Sequence, residues 1–188
     1  MKRYSCFKET IFSHNEYTME AVQPGHIEKI RQWRNKQMDV LRQTKPISKD
    51  EQIDYFKNNV WLEMDKSHPE KILLSIKKEN KLIGYGGLVY ISWENKRAEI
   101  SFIVNPSLAN DMKRYENIFS IFLKMIIDIA FKNLGFKKLY TETYVFRTEH
   151  IDLLERNGFI KEGTLRSHVI HGEDRIDSII HGVIDDEI

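Results

Sequence analysis

The chain predicts an α/β fold, a mixed sheet covered by helices, and three observations predict it. Short runs of alternating β-branched and aromatic residues recur along most of its length. One long segment, 115–134, instead carries apolar residues at helical spacing. No Gly/Ser linker, repeat or low-complexity stretch interrupts the 188 residues, which therefore read as one domain around one core.

Residues 1–15 form an N-terminal extension or an early strand, and 16–188 the domain proper. Residues 17–22 alternate as a strand. Pro24 suits a first helical position, and Ile27, Ile30 and Trp33 mark one face of the helix that follows. The polar stretch 35–47 reads as a loop, and Ser48-Lys49-Asp50-Glu51 as a capping box opening a helix through Ile53 and Phe56. Two strands, 71–77 and 81–91, flank the turn Lys78-Glu79-Asn80. Gly84, Gly86 and Gly87 inside the second imply a bulge or a close backbone contact. A strand at 96–104 ends at Asn105-Pro106. The long helix through Tyr115, Phe119, Phe122, Leu123, Ile126 and Ala130 stops at Gly135. A strand over 138–146, a short helix over 150–157 ending at Gly158, and a hairpin over 159–184 complete the order.

The composition excludes several classes. Lys and Arg number 29 against 28 Asp and Glu, a formal charge of +1, so nothing in the charge recommends a nucleic-acid partner. The single cysteine, Cys6, makes neither an internal disulfide nor a zinc site, and the histidines lack ligand spacing, so no metal is expected. No apolar run is long enough to span a bilayer or follows the N-terminal basic pair as a secretory signal would. A cytoplasmic location is the expectation.

Four strings in this order resemble the GNAT superfamily of acyl-CoA-dependent N-acyltransferases: IRQWRN (30–35), RAEISFIVNP (97–106), IIDIAFKNLGFKKLYTETY (126–144) and HIDLLERNGFIKEGTLRSHVIHG (150–172). Within it they resemble the branch of ribosomal-protein N-terminal acetyltransferases and nucleotide-sugar amine N-acetyltransferases. The resemblance implies a single-domain, mostly antiparallel sheet with a splayed central strand pair and helices on both faces. It also implies transfer of an acetyl group from acetyl-CoA to a primary amine: an amino sugar, a peptide N-terminus or a small-molecule amine. The pantetheine arm would add to the sheet as an extra strand, meeting the backbone of Phe102, Ile103 and Val104, with Tyr144 on the opposite wall. An edge-strand homodimer is the assembly such folds suggest.

Two departures stand out. The family's glycine-rich phosphate loop is replaced by SLANDMKRYENIFS (107–120), longer and without glycine; Tyr115, Asn117 and Phe119 fall where the glycines belong. Either a modified loop binds coenzyme A, with Lys113, Arg114 and Asn117 as its phosphate contacts, or the site has decayed and the protein is a non-catalytic binding module. The family's proton-donating tyrosine falls on Leu154, and its helix-leading asparagine on Arg147, which either bonds cofactor oxygens or caps a neighbour. Tyr144 and His150 are the substitute donors.

Transfer needs a neutral amine, hence a proton acceptor. Glu99 matches a carboxylate position used as base in parts of the family; its alternatives are an ion pair across the sheet with Lys96 or Arg97, or a role in holding an acceptor loop. Trp33, Arg34, Asn35 and Arg42 border the acceptor pocket by resemblance, although Trp33 also fits plain core packing. Arg42 and Lys45 either meet an anionic acceptor or form a solvated basic loop. Arg166 and His168 share a strand face that the resemblance turns toward the acceptor, against the alternative of a histidine buried in the sheet.

Overall fold

The computed structural model describes residues 1–187. Ile11–His14 (β1) and Tyr17–Ala21 (β2) pair first, across a turn in which Asn15 takes φ 51°, a left-handed conformation asparagine tolerates better than most side chains. Strand β1 thus occupies part of the N-terminal segment. Ahead of it Tyr4 is buried, its hydroxyl accepting the Leu73 N–H at 2.8 Å.

Six further strands follow: Ile72–Lys78 (β3), Lys81–Ser92 (β4), Arg97–Val104 (β5), Lys138–Tyr144 (β6), Ile160–His171 (β7) and Asp174–Ile184 (β8). They form one sheet in the order β1-β2-β3-β4-β5-β6-β8-β7. Every neighbour pair is antiparallel except β5–β6, which is parallel at the centre. The mixed, mostly antiparallel fold class follows as expected.

The glycines of β4 mark a close backbone contact. Gly87 has φ 145°, and a Cβ there would meet the Ile72 carbonyl oxygen at 2.0 Å. Gly86 faces Phe102, and its added Cβ would meet the Ser101 oxygen at 2.3 Å.

Ile27–Asn35 (α1) buries Ile27, Ile30 and Trp33, and Pro24 opens the turn before it. Lys49–Tyr55 (α2) starts with the capping box read from the sequence: Ser48 Oγ accepts from Glu51 N–H and the Glu51 carboxylate from Ser48 N–H. The Ser48 N–H, then Lys45, hold the Glu51 carboxyl down at about 2. Residues 107–120 do not form one long loop. Pro106–Ala109 makes a short turn of helix (α3) capped by Asn105, and Met112–Asp128 (α4) follows, capped by Asp111. A π turn over Ile129–Asn133 extends α4 before Gly135 at φ 70° ends it, and Thr148–Arg156 (α5) ends before Gly158 at φ 87°.

Helices cover both faces. Arg34 of α1 reaches the Tyr85 hydroxyl on one face; Phe119 and Phe122 of α4 pack on Phe102 on the other, where α5 also lies beside His181. Gly87→Ala is expected to lower stability by about 2–4 kcal/mol through strain and overpacking. Gly163→Ala, whose Cβ meets nothing within 4 Å, should stay within about 0.5 kcal/mol. Urea denaturation of both variants measures the difference, and equal stability would contradict the close β3–β4 approach.

Candidate functional site

Strands β5 and β6 pair at only three positions, Arg97–Lys138, Ala98–Leu139 and Glu99–Tyr140, and then part. Each stays paired along its other edge, β5 with β4 and β6 with β8. The direction of their backbone groups follows from the strand period. Asn105 N–H bonds Ile83 O in β4, so residues 101 and 103 also aim at β4, while Ile100, Phe102 and Val104 aim at the gap. On β6, Val145 N–H bonds Asp177 O in β8, so Glu142 and Tyr144 aim their backbone groups at the gap. The expected splay is present.

A cavity of about 590 Å³ occupies this opening and runs through to both faces of the sheet. On the α1 side it is lined by Arg34, Arg42, Tyr55, Tyr90, Glu99 and Glu142. Arg42, from the loop after α1, bridges the two carboxylates at 2.9 Å to Glu99 and 2.8 Å to Glu142. Glu99 therefore pairs with Arg42 rather than with Lys96 or Arg97; the Arg97 guanidinium lies over the Tyr140 ring. Burial raises the Glu99 pKa above the usual carboxylate range, and nearby Arg42 opposes that rise.

On the α4 and α5 side the lining includes Phe102, Phe119, Thr141, Thr143, Arg147 and His150. Arg147 donates to the Tyr115 hydroxyl at 3.3 Å, and Tyr115 lies 2.7 Å from His150 Nδ1. Arginine only donates, so Tyr115 accepts from it and spends its own O–H on Nδ1, which leaves the ring proton on Nε2. Burial, then the Arg147 charge, push the His150 pKa well below its ordinary value, so the ring is neutral at pH 7. Burial raises Tyr115 and Tyr144, which keep their protons. Thr141 Oγ1 is buried on the cavity wall without a hydrogen-bond partner in the protein.

The structure thus brings Glu99, Tyr144, His150, Phe102, Arg147, Arg34 and Arg42 together around one cavity. Other expected site residues lie elsewhere. Ile103 directs its backbone at β4, and the Val104 carbonyl is taken by Gln37 Nε2 at 2.9 Å. Trp33 is buried in the core, 8% exposed, and Asn35 is spent clamping the loop through both backbone groups of Ile47. Asn117 turns to the Tyr17 hydroxyl, on β2 and away from the gap, at 3.1 Å. Arg114 is ion-paired with Asp111 at the start of α4, where Lys113 is exposed.

Arg166 and His168 fail for a different reason: β7 bulges between Leu165 and Val169, with Ser167 at φ 50° and its N–H on Asp177 at 2.7 Å, so the two-residue period breaks. Both are exposed and neither lines the cavity, although His168 Nε2 comes within 3.8 Å of Glu142. The fully buried histidine is His181, with Nε2 3.4 Å from Glu155.

Glu142 and Tyr115 are the functional candidates that sequence reasoning missed. Glu142 had a signal, since Tyr140, Glu142 and Tyr144 alternate onto one strand face. Tyr115 had none, because its spacing is that of a core residue. Among the described residues, no group of three or more His, Cys, Asp or Glu stands close enough to hold a metal ion, and no helix is long and apolar enough to cross a membrane.

The family described as acetyltransferase (GNAT) domain matches residues 19–180. A spermidine N-acetyltransferase of Vibrio cholerae, solved with CoA and spermine, superimposes with TM-score 0.81 at 19% identity, over 93% of this chain and 98% of that one. A dodecameric structure of a spermidine N-acetyltransferase from the same organism gives 0.77 at 19%, over 92% and 96%. A putative acetyltransferase gives 0.71 at 12%, over 95% and 88%. An ATP-dependent helicase/nuclease of Lactococcus lactis subsp. lactis (strain IL1403) is 32% identical over 79 residues, 42% of this chain. The chain spans only 6% of that curated relative's length. The narrower branch expected from the sequence, ribosomal-protein and nucleotide-sugar enzymes, does not stand, because the solved structures of similar fold include spermidine N-acetyltransferases. A central parallel pair that opens after three residue pairs and a family match over most of the length agree: the chain belongs to the GNAT acetyltransferase family.

Proposed function

We propose that this protein transfers an acetyl group from acetyl-CoA to a primary amine of a small molecule, with polyamines as the acceptor class. The observation that carries the reading is the splay, which leaves unpaired backbone groups of β5 and β6 along an open cavity. The acceptor class is supported by the two carboxylates, Glu99 and Glu142, on the α1 side of that cavity, and by the spermidine N-acetyltransferases of similar fold.

The residues present fit a pantetheine arm. Ile100 and Phe102 on one strand and Glu142 and Tyr144 on the other offer strand-like partners, and the orphaned Thr141 hydroxyl offers another. The phosphate end differs from the family pattern, because the Asp111 carboxylate already accepts the Arg114 N–H at the start of α4. Side-chain charge from Lys113 and Arg147 would hold the phosphates there, in place of free backbone N–H groups. Bound acetyl-CoA supplies the activated acetyl thioester. Glu99 takes the proton of the incoming ammonium, its basicity raised by burial, while the second carboxylate, Glu142, borders the same seat. The Tyr144 hydroxyl and the neutral His150 N–H are the donors on the β6 and α5 wall. The protein positions these groups and so removes most of the entropic cost of bringing amine and thioester together.

Glu99→Gln is expected to lower kcat by about 100-fold. In the wild type a base must be ionised, so kcat/KM falls as pH drops through the raised Glu99 pKa, and that acid limb should vanish in the variant. A pH–rate series monitored by free-thiol release checks both, and an unchanged profile removes Glu99 from the mechanism. Coenzyme A at about 100 times its Kd should stabilise the fold by about 2.7 kcal/mol in a thermal-shift scan. No shift at millimolar ligand would instead favour a non-catalytic binding module. Because one similar enzyme is dodecameric, the companion expectation is an assembly larger than an edge-strand homodimer, read by light scattering.

A further inference from the structure

Glu99 and Glu142 stand on strands that have separated, yet one nitrogen, Arg42 Nη2, donates to both. The two acidic side chains are 11% and 13% exposed, while the Arg42 side chain is 41% exposed. The anions belong to the sheet and the cation to a loop between α1 and α2. Their other neighbours include Tyr90, whose ring centroid is 5.9 Å from the guanidinium, the exposed His168, 3.8 Å from the second oxygen of Glu142, and Tyr140 and Tyr144 on the same strand as Glu142.

We propose that Arg42 is an internal stand-in for the substrate: the Glu99–Glu142 pair is the seat of a primary alkylammonium group, and the acceptor must displace the Arg42 guanidinium to occupy it. This rests on the reading of the site as an amine acetyltransferase.

The chemistry of the pair supports the exchange. An alkylammonium has the same charge as guanidinium and three N–H donors on one nitrogen, so it makes the two bonds that Nη2 makes. Replacing one cation by another keeps both partly buried carboxylates compensated throughout, whereas a neutral or anionic acceptor would leave them bare. The exchange also puts the reacting nitrogen in contact with the proton acceptor, which Arg42 occupies in the free protein. Selectivity follows from competition. Only a cation outbids Arg42, and its apparent affinity is reduced by the fraction of molecules in which the seat is free.

Calorimetric titration of spermidine into wild type, Arg42→Met and Arg42→Lys tests the idea. Arg42→Met is expected to bind about 10-fold more tightly, as for a seat free in a tenth of wild-type molecules. Arg42→Lys, which keeps an internal cation, should remain near wild type. Binding by Arg42→Met that is equal to or weaker than wild type overturns the proposal. Should Arg42→Met fail to fold, trypsin acting on the wild type gives a second measurement. Spermidine should speed cleavage after Arg42 by releasing it, and unchanged or slower cleavage counts against displacement. Thiol release from acetyl-CoA by the wild type separates the two levels. If no amine is acetylated, the proposed function and the substrate identity fall together; if spermidine is acetylated but Arg42→Met binds it no better, only the displacement fails.

Discussion

The separation of β5 from β6 is the constraint on which the rest depends. Both strands are satisfied along their outer edges, so the sheet loses nothing at its flanks when the centre opens. The cost falls on the inner edges, where a buried donor or acceptor left unpaired is worth about 1–3 kcal/mol. The structure limits that cost rather than removing it. Gln37 Nε2 reaches across from the end of α1 to cap the Val104 carbonyl, and Arg42 covers the carboxylates at the mouth. The groups that remain, along Ile100, Phe102, Glu142 and Tyr144, line a cavity that reaches solvent, where a strand-like ligand would complete them.

What props the opening is aromatic. Phe102 projects from β5 onto Phe119 and Phe122 at 4.9 and 4.7 Å, and Phe119 faces the His150 ring at 4.5 Å. These contacts tie β5 to α4 and, through His150, to α5, which follows β6. The bulky residues at the family's glycine positions therefore do not plug the site. Tyr115 turns inward to make the Arg147–Tyr115–His150 chain, Phe119 becomes the prop, and Asn117 looks the other way, toward Tyr17.

The fold was legible because its signals are local. The Ser48–Glu51 box, the stripe through Phe122 and Ile126, and the stops at Gly135 and Gly158 each act within a turn or two. Placement at the cavity was legible where it depends on strand position, as for Glu99 and Tyr144. It failed where a local rule was interrupted. A bulge that period two does not foresee turned Arg166 and His168 outward, and register alone fixed Ile103 toward β4. The pairing of Arg42 with Glu99 and Glu142 spans 57 and 100 positions of sequence, so no window of the chain contains it.

Electrostatics ties the acceptor and the base into one device. Burial and the neighbouring Glu142 both push the Glu99 pKa up, and the Arg42 cation between the two side chains opposes them. A positive charge at that position is therefore what favours the ionised form of Glu99. In the proposed exchange that charge passes from Arg42 to the substrate, so the ammonium that keeps Glu99 ionised would also be the group whose proton Glu99 receives. Once that proton had moved, the amine would be neutral and its lone pair free in a cavity that Tyr144 and His150 also line. A single buried carboxylate would be a weaker arrangement, since after its proton transfer no second acceptor would stand beside the amine for the proton that its nitrogen carries in the tetrahedral adduct and must lose to become the neutral amide.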